Sequence, residues 1–124
     1  MLVLMWIVIA AQLEIESLTV GAIEEVAAGY AFAEGPLWLP EEEKWVFSDV
    51  SGDAIFDSNG ERHLKPSRNM NGLALDPEGR IVACQSGTQR IVRLERNGTI
   101  RVLASEYEGR PLNGTNDLVV RSDG

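Results

Sequence analysis

The sequence is short of cysteine, histidine and positive charge. Its 124 residues include one cysteine, Cys84, and one histidine, His63. A single cysteine excludes an internal disulfide and a multi-cysteine zinc site, and a single histidine excludes a His-rich metal cluster. Lys and Arg number 11 against 19 Asp and Glu, for a net charge of -8, which argues against nucleic acid as a partner. Hard divalent cations, which prefer oxygen ligands, remain compatible with this composition.

No positively charged side chain precedes Lys44, which bears on the unbroken apolar run at 1–11. Spanning a bilayer takes about 20 apolar residues, so we expect no membrane helix here. A signal peptide should have a positive n-region, which is missing, although Ala10 and Ala11 fit a cleavage site. Three interpretations stay open: a signal-like leader, a buried strand or helix, and a non-native or mis-started leader. The compartment stays open too, being cytoplasmic, or exported if residues 1–11 act as a leader. We treat residues 1–22 as an apolar leader or N-terminal extension.

From residue 34 onward, short apolar segments alternate with turn signals, which predicts an all-β fold. Asn59-Gly60 favours a hairpin with a type I′ turn, whose two central positions need positive φ. The segment 22–28 has helix-forming residues but is short and flanked by glycine, so we expect it to be strand-like or irregular. The predicted strands lie at 37–39, 45–47, 54–56, 72–75, 81–84, 90–94, 99–103 and 118–120.

The strands form groups of four whose openings can be superimposed. Glu34-Gly35-Pro36-Leu37-Trp38 aligns with a segment starting at Asn71 and another starting at Asn116, at offsets of 37 and 45 residues. A four-stranded unit of this length is the period of a β-propeller blade. The sequence therefore predicts a partial β-propeller, with two blades and the start of a third. Propellers place about four to eight blades around a channel, so this number of blades does not close a ring.

The repeat suggests a site on the channel axis. The first strand of each blade lines the channel, which places Glu34, Asn71 and Asn116 at one level. A carboxylate and amide carbonyls there would suit Ca²⁺, while Mg²⁺, which keeps its waters, is less suited. The alternative is that Asn71 and Asn116 only cap turns. Asn71 is the weaker ligand candidate because it precedes Gly72 in a turn-like dipeptide.

Several segments, in this order, resemble the gluconolactonase/regucalcin-like family (senescence marker protein group). The resemblance covers about residues 23–124, which we take as the N-terminal part of a gluconolactonase-like propeller. Each motif is weak alone, but their order and spacing together are specific. They are the segments 33–38 (Ala-Glu-Gly-Pro-Leu-Trp), 47–50 (Phe-Ser-Asp-Val), Asn71-Gly72 with 76–80 (Asp-Pro-Glu-Gly-Arg), 107–117 and 121–124.

The resemblance implies a six-bladed propeller that hydrolyses sugar lactones such as gluconolactone. It implies one divalent cation in the channel, usually Ca²⁺, with Zn²⁺, Mg²⁺ or Mn²⁺ as alternatives. Glu34 corresponds to a metal ligand of the family, and Asn116 to a residue that contacts substrate or metal. Further ligands, including an Asp that doubles as the base, belong to later blades beyond Gly124. A small-molecule lactone is thus the expected partner, and the oligomeric state stays open.

The sequence departs from the family pattern at two places that bear on substrate contacts. Many bacterial members have Glu-His-Gly where this chain has Gln85-Ser86-Gly87, and regucalcin-type members have Arg at the position of Gly114. Three functions therefore stay open: a metal-dependent lactone hydrolase, a non-catalytic ligand-binding propeller, and an inactive truncated fragment.

Other chemically notable residues have simpler interpretations. We expect His63 on an exposed outer strand and Cys84 as a small buried residue. We expect Trp38 and Trp45 to pack between blades rather than to form a sugar platform. Asp49 and Asp117 could lie near the channel, but hydrogen bonding at turns or strand ends is the simpler role.

Overall fold

The computed structural model describes residues 21–123. The apolar run at 1–11 and most of the extension at 1–22 lie outside the described residues, so their interpretations stay predictions. The segment 22–28 has no regular secondary structure, as expected from its length and its flanking glycines. Among the described residues, no helix has the length and hydrophobicity needed to span a membrane.

The first blade is a four-stranded antiparallel meander. Its strands lie in chain order β1-β2-β3-β4, and Trp38 pairs with Trp45 across β1 and β2. The bounds are β1 Ala33–Leu39, β2 Lys44–Asp49, β3 Ala54–Asp57 and β4 Arg62–Leu64.

The second blade repeats this topology, in the order β5-β6-β7-β8. A single 3-10 turn, Ser86–Thr88, connects β6 to β7, and a two-stranded hairpin, β9-β10, follows the blade. The bounds are β5 Met70–Leu75, β6 Ile81–Gln85, β7 Arg90–Leu94, β8 Ile100–Ala104, β9 Glu106–Tyr107 and β10 Arg110–Pro111. The prediction of two consecutive four-stranded units is confirmed.

The core lies between the two blades. It forms where the apolar side chains of one face of each sheet meet, since alternate residues of a strand point to the same side. Trp38 and Trp45 lie outside this cluster, with ring centroids 5.4 Å apart and 42% of each residue exposed, so they do not pack between the two described blades. The buried members of the cluster are Leu39, Val46, Ile55, Met70, Leu73, Ala83 and Val92.

The turn at Asn59-Gly60 differs from its prediction. The N–H of Gly60 donates to the carbonyl of Asp57, and Gly60 has a φ of 80° while Asn59 is not in the positive-φ region. Type I′ is therefore wrong here. The carboxylate of Asp57 explains the difference, because Oδ1 accepts from the N–H groups of both Asn59 and Glu61 and stabilises a turn with one left-handed residue.

The predicted strand at 118–120 is also absent from the structure as described. A strand is completed by a ladder of hydrogen bonds to a neighbour, and within residues 21–123 no strand pairs with this segment. The apolar composition of the segment could not supply a partner strand.

Candidate active site

The openings of the first strands of both blades are irregular in the same way. The pairing of β1 with β2 shifts register between Glu34 and Leu37, and that of β5 with β6 shifts between Met70 and Leu73. Such irregularities re-aim the side chains beside them. Both breaks contain the glycine of the repeat, Gly35 or Gly72, so the repeat marks a local geometry as well as a strand start.

Gly35 allows the two openings to approach closely. It has a φ of 54°, and a Cβ at this position would lie 3.0 Å from the Cα of Gly72 and closer still to the carbonyl oxygen of Asn71. Glycine satisfies both requirements, since it has no Cβ and adopts positive φ readily.

Gly72 repeats this packing against the third opening. A Cβ on Gly72 would lie 2.7 Å from the Cα of Asp117 and 2.9 Å from the carbonyl oxygen of Asn116. The N–H of Gly72 donates to that same oxygen at 2.8 Å. The three openings thus stack one against the next through two glycines.

The stacked openings enclose a polar cavity of about 330 Å³. All three residues aligned by the repeat line it: Glu34, Asn71 and Asn116. Glu34 is half-buried, Asn71 is buried and Asn116 is exposed. Asp117 lines the cavity as well, and its Oδ1 accepts from the N–H of Leu118 at 2.8 Å.

The two asparagine side chains bond to each other rather than to a local turn. Nδ2 of Asn71 donates to Oδ1 of Asn116 at 2.8 Å, across 45 residues of sequence. Within the described residues, neither side chain makes a hydrogen bond inside its own turn, so the turn-cap alternative has no support for this pair. Both residues also line the same polar cavity.

Glu34 also borders a second cleft. This cleft, of about 360 Å³, lies between the segment at 25–30 and the first two strands. It is largely apolar, with Tyr30, Trp45 and Phe47 among its lining residues. Glu34 therefore lies where a polar cavity adjoins a largely apolar one.

Asp49 has the structural role expected for it. Its carboxylate accepts from the N–H groups of Phe32, Gly52 and Ala31 at 2.9, 3.0 and 3.1 Å. Burial opposes ionisation of this carboxyl, but these three donors outweigh that effect and hold its pKa below its usual value. Asp49 thus fixes Ala31 and Phe32, the two residues directly before β1.

Three supporting contacts could not be foreseen from the motifs. Ser48 Oγ donates to the carbonyl of Asn71 at 2.8 Å. Ser86 Oγ donates to the carbonyl of Thr115, and Thr115 Oγ1 contacts the carbonyl of Arg90 at 3.4 Å. Ser48 thus holds the backbone of Asn71, and Ser86 holds the backbone of Thr115, the residue before Asn116. The only sequence signal for the two serine contacts was a serine within one residue of the end of the second strand of each blade.

The departure at Gln85-Ser86-Gly87 has a structural explanation. Gln85 is fully buried, its Nε2 donates to the carbonyl of Ser67 at 3.0 Å, and its Oε1 accepts from Thr88 and Arg90. Neither Gln85 nor Ser86 lines the polar cavity. Within this triplet, Ser86 contacts the segment that carries Thr115 and Asn116, through the carbonyl of Thr115.

His63 and Cys84 lie where they were expected. His63 is exposed on β4, with Nε2 3.2 Å from Oδ2 of Asp57. Cys84 is fully buried in β6, and burial, with a smaller effect from the charge of Asp117, raises the pKa of its thiol. Neither lines the polar cavity.

The donors in the cavity fit a hard divalent cation in type but not in number. A carboxylate and amide oxygens are ligands that Ca²⁺ takes, but it needs six to eight oxygens. No cluster of three or more His, Cys, Asp or Glu side chains suited to a metal occurs in residues 21–123. A cation here would need ligands in addition to Glu34 and Asn116.

Comparison with known proteins gives a consistent result. A gluconolactonase of Zymomonas mobilis subsp. mobilis is 28% identical over 120 residues, covering 82% of this chain and 34% of that protein. A gluconolactonase of Xanthomonas campestris, described as important in glucose secondary metabolic pathways, has a structure with a TM-score of 0.75 and 31% identity, covering 80% of this chain and 35% of that one. The X-ray structure of a provisionally assigned gluconolactonase has a TM-score of 0.74 and 31% identity, covering 82% of this chain and 37% of that one.

This chain spans about a third of the length of these relatives. The all-β architecture with consecutive four-stranded sheets is that of part of a gluconolactonase propeller. The profile of the SMP-30/Gluconolactonase/LRE-like region matches residues 32–124, and the chain therefore belongs to that family.

Proposed function

We propose that the protein takes part in metal-dependent hydrolysis of sugar lactones, with Glu34 and Asn116 as its contribution to the cation site. One observation supports this most strongly: Glu34, Asn71 and Asn116 line a single polar cavity. The gluconolactonase relatives supply the reaction class. In this proposal, residues 23–124 contribute two blades and the start of a third, and blades outside this segment supply the remaining ligands.

The residues of this chain have separate roles in the proposed reaction. When bound, a divalent cation would polarise the lactone carbonyl and lower the pKa of a bound water. Glu34 holds the cation through its carboxylate, so it is not free to act as the base. Asn116 ligates the cation or orients the lactone through its amide. The base belongs to a later blade.

The experiment compares the native gene product with its Glu34→Gln variant. We expect hydrolysis of gluconolactone that a chelator abolishes and Ca²⁺ restores. Glu34→Gln should weaken Ca²⁺ binding, measured calorimetrically, by about tenfold or more, since it removes the charge of a ligand. Glu106→Gln, on the exposed strand β9, is the matched control and should bind Ca²⁺ like the wild type.

Two results would contradict the proposal. Unchanged Ca²⁺ affinity in Glu34→Gln would remove Glu34 from the site. Ca²⁺ binding without lactone hydrolysis by the native gene product would favour the non-catalytic propeller instead.

A further inference from the structure

We propose that Asn71 is a positioning residue that sets the orientation of the Asn116 amide in the cavity. What Asn116 then binds rests on the proposed function, but the hydrogen bond that orients it does not. Asn71 itself does not need to contact a cation or a substrate to have this role.

The two asparagines differ in burial, and this difference decides which one positions the other. Asn71 is 8% exposed, whereas Asn116 is exposed. An exposed asparagine exchanges among rotamers unless a bond holds it. Here Nδ2 of the buried Asn71 donates to Oδ1 of Asn116 at 2.8 Å. The buried residue is therefore the support, and the exposed residue is the group that it orients.

Asn71 is itself fixed by neighbours on β1 and β2. Ser48 Oγ donates to its carbonyl oxygen at 2.8 Å, in a contact that is fully buried. Gly35 packs against the same carbonyl, so the backbone at Asn71 has no room to shift toward β1. A side chain on so constrained a backbone is a suitable rigid donor.

The opening of β5 bonds Asn116 twice. The N–H of Gly72 donates to the main-chain carbonyl of Asn116 at 2.8 Å, and Nδ2 of Asn71 donates to its side-chain carbonyl. The first bond places the residue and the second fixes its amide plane. An amide oxygen has two lone pairs, so Oδ1 of Asn116 can accept from Asn71 and still offer the second pair to another group.

This arrangement gives a role to Asn71, the second of the three residues that the repeat aligns. Groups that orient a metal ligand typically change metal affinity 10–100-fold when they are removed. Asn71 would act on the site in this way, through Asn116.

The test uses side-chain amide NMR on the metal-free protein, with Asn71→Ala and Asn116→Ala as variants. In Asn71→Ala, we expect the Asn116 NH₂ signals to move to the values of a mobile, solvent-exposed asparagine. In Asn116→Ala, hydrogen exchange of the Asn71 NH₂ group should accelerate about fivefold, because its acceptor is gone. Asn116→Asp keeps an acceptor at that position and should restore slow exchange.

Asn97→Ala is the matched control. It removes an exposed asparagine from the turn between β7 and β8, where its Oδ1 accepts only from Thr99, and Asn97 does not line the polar cavity. We expect the NH₂ signals of Asn71 and Asn116 in this variant to match those of the wild type. Unchanged Asn116 signals in Asn71→Ala, or unchanged Asn71 exchange in Asn116→Ala, would overturn the proposal. The second variant tests it even if the first fails to fold.

Ca²⁺ titration separates this proposal from the proposed function. If the wild type binds Ca²⁺, Asn71→Ala should weaken binding 10–100-fold. If the wild type binds no Ca²⁺ but the two variants change the NH₂ signals and exchange as expected, the proposed cation site is wrong and the positioning role of Asn71 stands. Equal Ca²⁺ affinity in the wild type and Asn71→Ala would overturn the role of Asn71 at the site.

Discussion

Gly35 lies directly against the main-chain carbonyl of Asn71, with no space for a side chain between them. This contact joins the first blade to the second at the polar cavity. Two openings that are 37 residues apart in sequence become neighbours through it. The glycine of the repeat thus acts as a spacer that sets how closely Glu34 and Asn71 approach.

Gly35→Ala should therefore destabilise the protein more than the backbone conformation alone explains. Gly98→Ala is the matched control, because Gly98 has a φ of 82° but nothing within 4 Å of its Cβ position. The left-handed conformation costs an alanine about 1–2 kcal/mol, which is the expected loss for Gly98→Ala. Gly35→Ala adds a backbone overlap, so we expect a loss of about 3 kcal/mol or more. Urea denaturation measures both, and equal losses would contradict the close packing.

Gly72→Ala should damage the site more than the fold. A Cβ on Gly72 would overlap the backbone of Asn116 and Asp117, which lie outside the strands, so this segment would move away. We expect Ca²⁺ affinity at least about tenfold weaker. Gly114→Ala is the control, since its Cβ would meet nothing within 4 Å, and its stability should stay within about 0.5 kcal/mol of the wild type. A Ca²⁺ affinity in Gly72→Ala equal to that of Gly114→Ala would contradict this.

The repeat predicted most of the fold because it combines strand spacing with glycine positions. It placed both four-stranded units and brought Glu34, Asn71 and Asn116 to one cavity. It could not predict that Ser48 supports Asn71 or that Ser86 supports Thr115. Those contacts join residues 23 and 29 positions apart, and a serine near a strand end is too common to indicate a partner.

Two turns differ from what the sequence predicted: one has another type, and the other was not predicted. Asn59-Gly60 was predicted as type I′, but only Gly60 has positive φ there. The hairpin β9-β10 was not predicted, although Glu108 and Gly109 both have positive φ, at 50° and 74°, as type I′ requires. Glutamate rarely adopts this conformation, so its sequence gives a weak signal. At Asn59-Gly60, the hydrogen bonds that Asp57 accepts from nearby N–H groups determine the turn type.

The stability of the protein should fall in acid partly because of Asp57. Burial opposes ionisation of this carboxyl, but the N–H of Glu61, His63 and Lys44 stabilise the carboxylate and hold its pKa at about 2. The folded pKa is below the unfolded one, so the stabilisation is present above the unfolded pKa of about 4 and is lost as pH falls toward 2. We expect the free energy of unfolding to decline over that range.

Asp57→Asn should make this decline shallower by up to one proton, measured by urea denaturation at several pH values between 6 and 2. Glu106→Gln is the charge control and removes an exposed carboxylate from β9. A slope in Asp57→Asn as steep as in the control would show that Asp57 does not account for the acid sensitivity. Buried carboxylates such as Asp49 contribute the remaining slope.

Cys84 should report on opening of the second blade. It is the sole cysteine, it is fully buried in β6, and burial raises the pKa of its thiol, so little reactive thiolate exists in the folded state. We expect a disulfide reagent to label the native protein at least about a hundredfold more slowly than the urea-unfolded protein. A cation that binds at Glu34 and Asn116 ties the third opening to the first, so Ca²⁺ should slow the labelling further. Rapid native labelling would contradict the burial of Cys84, and a rate that does not respond to Ca²⁺ would show that the cation does not stabilise this blade.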